Sequence, residues 1–149
     1  MPVKIKVICG FPGSGKTSYI KEHINFKRDI VYDYDELANT ISLMPRHTEN
    51  KGIHPYLSDI LKNMIKRAKN DKNIDCFWII RTVPDQMFVN LLNGFDVEYF
   101  FINKTVFECL EQIQSDPNRK DSDKNWYSLL MGLQSELMKG AFEICQFIN

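Results

Sequence analysis

The chain contains, close to its N-terminus, Gly10-Phe11-Pro12-Gly13-Ser14-Gly15-Lys16-Thr17, which fits the pattern G-x-x-x-x-G-K-[ST]. Glycines in this pattern let the backbone turn its N–H groups inward around a phosphate group. A helix that begins at the loop adds the positive end of its dipole. The Lys16 ammonium can reach the outer phosphates of a triphosphate, and the Thr17 hydroxyl can bind Mg²⁺. We therefore predict a nucleoside-triphosphate site formed by Gly10, Pro12, Gly13, Ser14, Gly15, Lys16, Thr17 and Ser18.

Strands and helices alternate along the sequence on both sides of this loop, which indicates a parallel sheet. Apolar runs predict strands over 3–9, 29–32, 76–80 and 97–102. Helices are predicted over 16–25, 36–43, 55–70, 84–93, 105–115 and 126–144, the last being long and C-terminal. A polar, irregular segment is predicted over 44–54 and a loop over 116–124. The pattern predicts an α/β domain with three αβα layers and a four-stranded parallel sheet. For this sheet we expect the strand order 2-3-1-4.

The composition fits one domain spanning residues 1–149. At 44% hydrophobic residues, the chain can form a core without a metal or disulfide. No apolar run approaches the ~20 residues that span a bilayer, and the N-terminus lacks the pattern of a signal peptide. We therefore expect a cytoplasmic protein without a membrane partner. The cysteines form no C-x-x-C pair, and we predict that they are core residues, two in strands and two on helix faces: Cys9, Cys76, Cys109 and Cys145.

Two carboxylates follow the second predicted strand, in the run Val31-Tyr32-Asp33-Tyr34-Asp35. In a parallel sheet, the end of a strand beside the phosphate loop faces the outer phosphate. Residues i and i+2 of an extended segment point to the same side. One carboxylate can hold Mg²⁺ through water, and the other can accept the proton of an acceptor hydroxyl. The structural alternative is that Asp35 caps a helix beginning at Glu36.

Arg81 ends the central predicted strand, at the position where a motor ATPase needs an acidic residue. An arginine at this edge can bind an anionic acceptor with two hydrogen bonds. The alternative is an ion pair with one of three nearby acids, Asp33, Asp35 or Asp85. The strand end thus does not favour a motor ATPase.

A GTPase is also disfavoured. No aspartate is followed by glycine three positions later, and Asn103-Lys104-Thr105 is followed by Val106 where the guanine motif needs aspartate.

The phosphate loop followed by D-x-D resembles several groups of small P-loop kinases. These are the shikimate- and gluconate-kinase type, the kinase domain of phage polynucleotide kinase, and the zeta-toxin and chloramphenicol phosphotransferase group. The run Trp78-Ile79-Ile80-Arg81-Thr82-Val83-Pro84 and the pair Cys109-Leu110 also resemble small phage and prophage P-loop proteins of the AAA family. The resemblance implies the P-loop NTPase fold, ATP as the nucleotide and Mg²⁺ as the metal.

The resemblance also implies roles for individual residues. Lys16 would act on the transferred phosphate, Asp35 would be the general base, and Asp33 would share the metal with Thr17. These kinases close a basic lid over the triphosphate after the helix that follows strand four, a region that corresponds to 116–124 here. Arg119 would then stabilise the transition state, although this loop carries one arginine where the kinases often carry two or three. Acceptor-binding candidates lie in the irregular segment: Arg46, His47 and His54.

Two functions remain in view. The first is a kinase that transfers the γ-phosphate of ATP to a hydroxyl acceptor, with the 5′-hydroxyl of a polynucleotide or nucleoside favoured. The second is a phage-type, nucleotide-dependent binding or assembly module that hydrolyses ATP slowly. The helix over 55–70 has basic residues that could follow a nucleic-acid backbone, but a solvent-exposed helix face explains them more simply: Lys62, Lys66, Arg67 and Lys69.

Overall fold

The computed structural model describes residues 2–44, 50–117, 119 and 124–149. Its sheet has five parallel strands, β1 (Lys4–Cys9), β2 (Asp29–Tyr32), β3 (Cys76–Arg81), β4 (Asp96–Ile102) and β5 (Gln146–Ile148). Their spatial order is β2-β3-β1-β4-β5, and the pairings are all parallel. The predicted order 2-3-1-4 is confirmed, but the predicted strand count of four is wrong because β5 adds an edge strand.

Six helices connect these strands: α1 (Lys16–His23), α2 (Tyr34–Ser42), α3 (His54–Ala68), α4 (Gln86–Leu91), α5 (Val106–Ser115) and α6 (Trp126–Met138). The boundaries of α1 to α5 agree with the sequence prediction to within two residues. The start of α5 could be predicted because Thr105 and Glu108 form a capping box. In this capping box each side chain accepts a hydrogen bond from the backbone N–H of the other residue.

The C-terminal helix is shorter than predicted. It ends at Met138, and Gly140 follows with a left-handed φ of 90°, a conformation that stops helices and favours glycine. The chain then turns so that Phe142 is buried against Phe101, with ring centroids 4.5 Å apart. Cys145 lies half-buried before β5, not on a helix face. The apolar spacing over 126–144 therefore came from a helix followed by a packed turn, which the periodicity alone did not distinguish.

Alternating side chains of the sheet enter two apolar clusters. Residues such as Val7, Ile79 and Phe101 pack against α3, α4, α5 and α6 in the larger cluster, whereas Ile8 and Trp78 pack against Ile20 of α1 in the smaller one. Helices therefore cover both faces, as predicted for three layers. Among the described residues, no helix is long and apolar enough to cross a membrane.

The strand register aligns the carboxyl ends of β1, β3 and β4 at one edge of the sheet. Cys9 pairs with Arg81 of β3 and with Phe101 of β4, and β2 ends one strand further out. The loops after β1, β2 and β3 therefore meet at the same edge, which is where ligands bind in open parallel sheets.

Candidate active site

The phosphate loop connects β1 to α1, and its glycines have conformations that other residues adopt at a cost. Gly13 has φ 81° and Gly15 has φ 94°, both in the left-handed region. A Cβ atom on Gly13 would lie 2.6 Å from the carbonyl oxygen of Cys109, so the loop packs directly on the backbone of α5. Gly15 is the N-cap of α1. The loop is therefore held by backbone packing as well as by its sequence.

Lys16 folds back over this loop. Its Nζ donates hydrogen bonds to the carbonyl oxygens of Gly10, at 2.6 Å, and Phe11, at 3.2 Å. Burial and, to a smaller extent, the positive charge of Arg119 lower the pKa of Lys16, while the carboxylate of Asp35 acts in the opposite direction; the resulting pKa is about 8. A bound phosphate group would place a negative charge beside the Lys16 ammonium and would favour its protonated form.

An open cleft of about 480 Å³ lies beside the loop. It brings together predicted residues from the loop, from the start of α2, from the end of β3 and from the region before α6: Pro12, Lys16, Thr17, Asp33, Asp35, Arg81 and Arg119. A smaller recess of about 150 Å³ is lined by the rest of the loop together with Gln112, Asp116 and Arg119. The predicted loop residues on this recess are Gly13, Ser14, Gly15, Lys16, Thr17 and Ser18.

Asp33 and Asp35 both line the cleft, but not with the geometry that the sequence suggested. β2 ends at Tyr32, and α2 already begins at Tyr34, so the two carboxylates do not share an extended segment. Asp33 is the N-cap of α2, and its Oδ1 accepts hydrogen bonds from the backbone N–H groups of Asp35 and Glu36. The capping role considered for Asp35 therefore belongs to Asp33, and Asp35 lies in the first turn of α2.

Arg81 makes contacts within its own loop. Its Nη2 lies 3.0 Å from Oδ2 of Asp85, and its guanidinium carbon lies 4.5 Å from the ring centroid of Phe88. Asp85 in turn is the N-cap of α4 and accepts from the N–H of Phe88. That backbone hydrogen bond and the adjacent Arg81 both lower the pKa of Asp85. The ion-pair alternative for Arg81 is thus observed, with Asp85 as the partner.

Arg119 lies at the junction of the cleft and the recess. Its Nε is 3.8 Å from Oδ2 of Asp116. Within the predicted lid, residues 118 and 120–123 lie outside the described residues. Arg46 and His47 lie outside them as well.

Tyr34 also lines the cleft, although the sequence did not single it out. It lies beside the predicted candidate His54, which lines the cleft as well. The Tyr34 hydroxyl oxygen lies 3.4 Å from Nδ1 of His54, and the ring centroids are 5.9 Å apart. The position of Tyr34 between two candidate carboxylates was the available signal. The basic residues of α3, by contrast, are exposed and do not line the cleft: Lys62, Lys66, Arg67 and Lys69.

No protein-family profile and no curated protein matches this sequence. Solved structures do match. A tunicamycin resistance protein from Deinococcus radiodurans has a TM-score of 0.60 and 17% identity, with 99% of this chain and 86% of that chain covered. Shikimate kinase from Acinetobacter baumannii has a TM-score of 0.62 and 15% identity, with 100% and 84% covered.

The Pnkp1/Rnl/Hen1 RNA repair complex contains a chain that matches with a TM-score of 0.67 and 12% identity. This match covers 92% of the present chain but only 44% of the other, so the present chain spans less than half of that protein. At these identities the likeness concerns the fold. Together with the strand order and the loop after β1, it confirms the predicted resemblance: this chain has a P-loop kinase-like fold.

Proposed function

We propose that this protein transfers the γ-phosphate of ATP to a hydroxyl acceptor. The observation that carries the proposal is the placement of Lys16 and Asp35 on one open cleft, close enough that the carboxylate of Asp35 raises the pKa of the lysine. A phosphate-binding cation and a carboxylate that can accept a proton are two of the groups that catalyse phosphoryl transfer to a hydroxyl in kinases.

The roles follow from the positions of the side chains. The loop N–H groups and Lys16 would hold the triphosphate, and Arg119 would stabilise negative charge on the phosphoryl group during transfer. Asp35 would accept the proton of the acceptor hydroxyl. The segment around Arg119, residues 116–124, would serve as the lid.

Thr17 and Asp33 supply the hard oxygen donors that suit Mg²⁺. Both line the cleft beside Lys16, so the residues present fit the metal. When bound, Mg²⁺ would neutralise charge on the phosphate oxygens.

The favoured acceptor is the 5′-hydroxyl of a polynucleotide or nucleoside. Tyr34 and His54 support this choice, because their rings lie on the cleft wall and aromatic rings bind bases by stacking. One of the similar solved structures is an RNA repair complex, which is consistent with such an acceptor, while another is a shikimate kinase, so small acceptors belong in the same test.

The test measures transfer from γ-labelled ATP with Mg²⁺ to a panel of acceptors. The panel contains 5′-hydroxyl DNA and RNA oligonucleotides, nucleosides, sugars and hydroxy acids. Asp35→Asn should abolish transfer while leaving ATP affinity nearly unchanged, and Lys16→Ala should abolish both. Glu36→Gln is the matched control, since Glu36 is the next residue of the same helical turn and does not line the cleft. Equal transfer by wild type and Asp35→Asn would rule out the proposed base.

The second candidate is a nucleotide-dependent binding module. Arg81 favours it, because the arginine at the end of β3 is engaged by Asp85 and stands where a motor ATPase has an acid. Tight ATP binding that Lys16→Ala abolishes, with no labelled product from any acceptor, would support this module in place of the kinase.

A further inference from the structure

We propose that Trp126 is a positioning residue that holds Arg119 at the mouth of the phosphate loop before nucleotide binds. The inference rests on the proposed function for the catalytic role of Arg119, but the contacts that support it do not depend on that role. Trp126 is the first residue of α6, seven positions after the arginine that it contacts.

Two contacts join the indole to Arg119. The indole Nε1–H donates a hydrogen bond of 3.2 Å to the backbone carbonyl oxygen of Arg119. The guanidinium carbon of Arg119 lies 5.7 Å from the ring centroid, within the range of a cation–π interaction. One side chain therefore fixes both the backbone and the charged end of the arginine.

The indole itself is held in place by the fold. Trp126 is 9% exposed and belongs to the larger apolar cluster. Asn125 caps α6 by accepting from the N–H of Ser128, which fixes where the helix begins. A rigid ring on a capped helix is a firm support for a side chain as flexible as arginine.

Further charges surround the same group. The Nζ of Lys124 lies 5.4 Å from the Trp126 ring centroid. Asp116 contacts Arg119 twice: its Oδ2 lies 3.8 Å from the Arg119 Nε, and its carbonyl oxygen accepts a hydrogen bond of 3.0 Å from the Arg119 backbone N–H. Asp116 contributes an opposing charge, and Trp126 contributes a surface that keeps the guanidinium aligned with the recess that contains Lys16.

The Arg119 side chain itself can report on this alignment. Its guanidinium carbon lies 5.7 Å from the indole centroid, so its N–H groups experience the ring current of Trp126. If the guanidinium moves away from the indole, that ring-current shift is lost. The Nε–H signal of Arg119 therefore reads the position of the side chain without requiring catalysis.

The experiment follows the Nε–H signal of Arg119 by NMR in protein with ¹⁵N-labelled arginine, assigned with Arg119→Gln, without nucleotide. Trp126→Phe removes the N–H donor and keeps a ring, and Trp126→Leu removes both contacts. Tyr127→Phe is the control, because Tyr127 is the next residue of the same helix and is half exposed.

The expected result is a change in the chemical shift of the Arg119 Nε–H and a lower heteronuclear NOE, both smaller for Trp126→Phe and larger for Trp126→Leu. Tyr127→Phe should leave the Arg119 signal in place. Where transfer is measurable, Trp126→Leu should lower kcat about 100-fold, the loss that a misplacement of about 1 Å can cause, with little change in the KM for ATP. Thermal unfolding of each variant checks that it is folded.

An Arg119 Nε–H signal with the wild-type shift and NOE in both Trp126 variants would overturn the proposal. A second measurement leaves Trp126 intact. In a Trp78→Phe protein Trp126 is the only tryptophan, and Arg119→Gln in that background should change its emission spectrum without nucleotide; an unchanged spectrum would also overturn the proposal.

These readouts separate the inference from the proposed function. An absence of transfer to every acceptor would count against the kinase, yet the Arg119 signal and the Trp126 emission would still show whether the indole positions Arg119.

Discussion

The two halves of the cleft are built differently. On the side proposed for the nucleotide, the loop after β1 contains glycines with left-handed conformations and is packed on the backbone of α5. On the side proposed for the acceptor, the walls are side chains that already bond to their neighbours, such as Arg81 with Asp85 and Tyr34 with His54.

This difference assigns two tasks to two parts of the cleft. A loop built from backbone is rigid and binds a group that all triphosphates share. The side chains of the wall, by contrast, can be substituted to fit a new acceptor without a change in the loop. We therefore expect changes in the loop to alter nucleotide binding strongly, and changes in the acceptor wall to alter specificity more than affinity for ATP.

The largest effect is expected for Lys16→Ala. The ammonium is the loop's side-chain cation, and its removal should weaken ATP binding by about 100-fold or more. Lys21→Ala is the matched control, since Lys21 belongs to the same helix, is exposed and lies off the cleft. Calorimetric titration with ATP and Mg²⁺ measures both. Equal losses in the two variants would show that general positive charge, and not the loop, binds the nucleotide.

Gly13→Ala should have the next largest effect. Alanine at φ 81° is strained, and its Cβ would also lie 2.6 Å from the carbonyl oxygen of Cys109. We expect a loss of at least about 2 kcal/mol in the free energy of unfolding and weaker ATP binding.

Gly94→Ala is the control for this prediction. Gly94 has a similar φ of 91° but no atom within 4 Å of the added Cβ, so it should cost about 1 kcal/mol from strain alone and leave ATP binding intact. Denaturant unfolding gives both values. Identical losses would mean that the contact with α5 does not constrain the loop.

The pH dependence of ATP binding provides a third test of the nucleotide side. Because the pKa of Lys16 is lowered to about 8, the free protein has largely lost this proton at about pH 9, whereas a bound triphosphate favours the charged lysine. Binding at about pH 9 should therefore take up close to one proton, and affinity should fall up to tenfold per pH unit above about 8.

Calorimetry in two buffers of different ionisation enthalpy measures this uptake. Lys16→Arg is the control, since arginine stays charged throughout this range and should show no uptake from this site. Wild-type binding at pH 9 without proton uptake would contradict the lowered pKa.

The difference between the loop and the side-chain wall also explains which features could be predicted from the sequence. The phosphate loop was recognisable because backbone geometry or a local charge requires particular residue types in it, so Gly13, Lys16 and Thr17 could each be identified from the sequence. The parallel sheet followed from the alternation of strands with crossover helices. These features depend on short-range rules, and the structure has the expected loop and the order 2-3-1-4 within a larger sheet.

The errors have a different physical origin. β5 is a three-residue edge strand, too short for a period of two to show, and Gly140 was overlooked as a helix stop. Asp33 was assigned only to the metal, although the chain turns into α2 two residues earlier than expected and uses it as the cap. Which of three acids pairs with Arg81, here Asp85, and the hydrogen bond from Trp126 to Arg119 depend on side-chain contacts that spacing does not specify.

The acceptor side is expected to give the smallest change in stability and the most selective change in function. Asp85→Asn keeps a good helix cap but removes the charge that holds Arg81, and a partly exposed ion pair contributes at most about 1 kcal/mol. Asp85→Ala removes the cap as well and should cost about 1 kcal/mol more.

Neither variant should change ATP affinity, because Arg81 lies on the acceptor wall of the cleft. If Arg81 binds an anionic group of the acceptor, Asp85→Asn should lower the KM for that acceptor, since the guanidinium no longer has to leave a carboxylate, whereas Arg81→Gln should raise it. A KM that is the same in all three proteins would assign Arg81 to holding the start of α4, through Asp85 and the Phe88 ring, and would leave acceptor recognition to the aromatic wall of Tyr34 and His54.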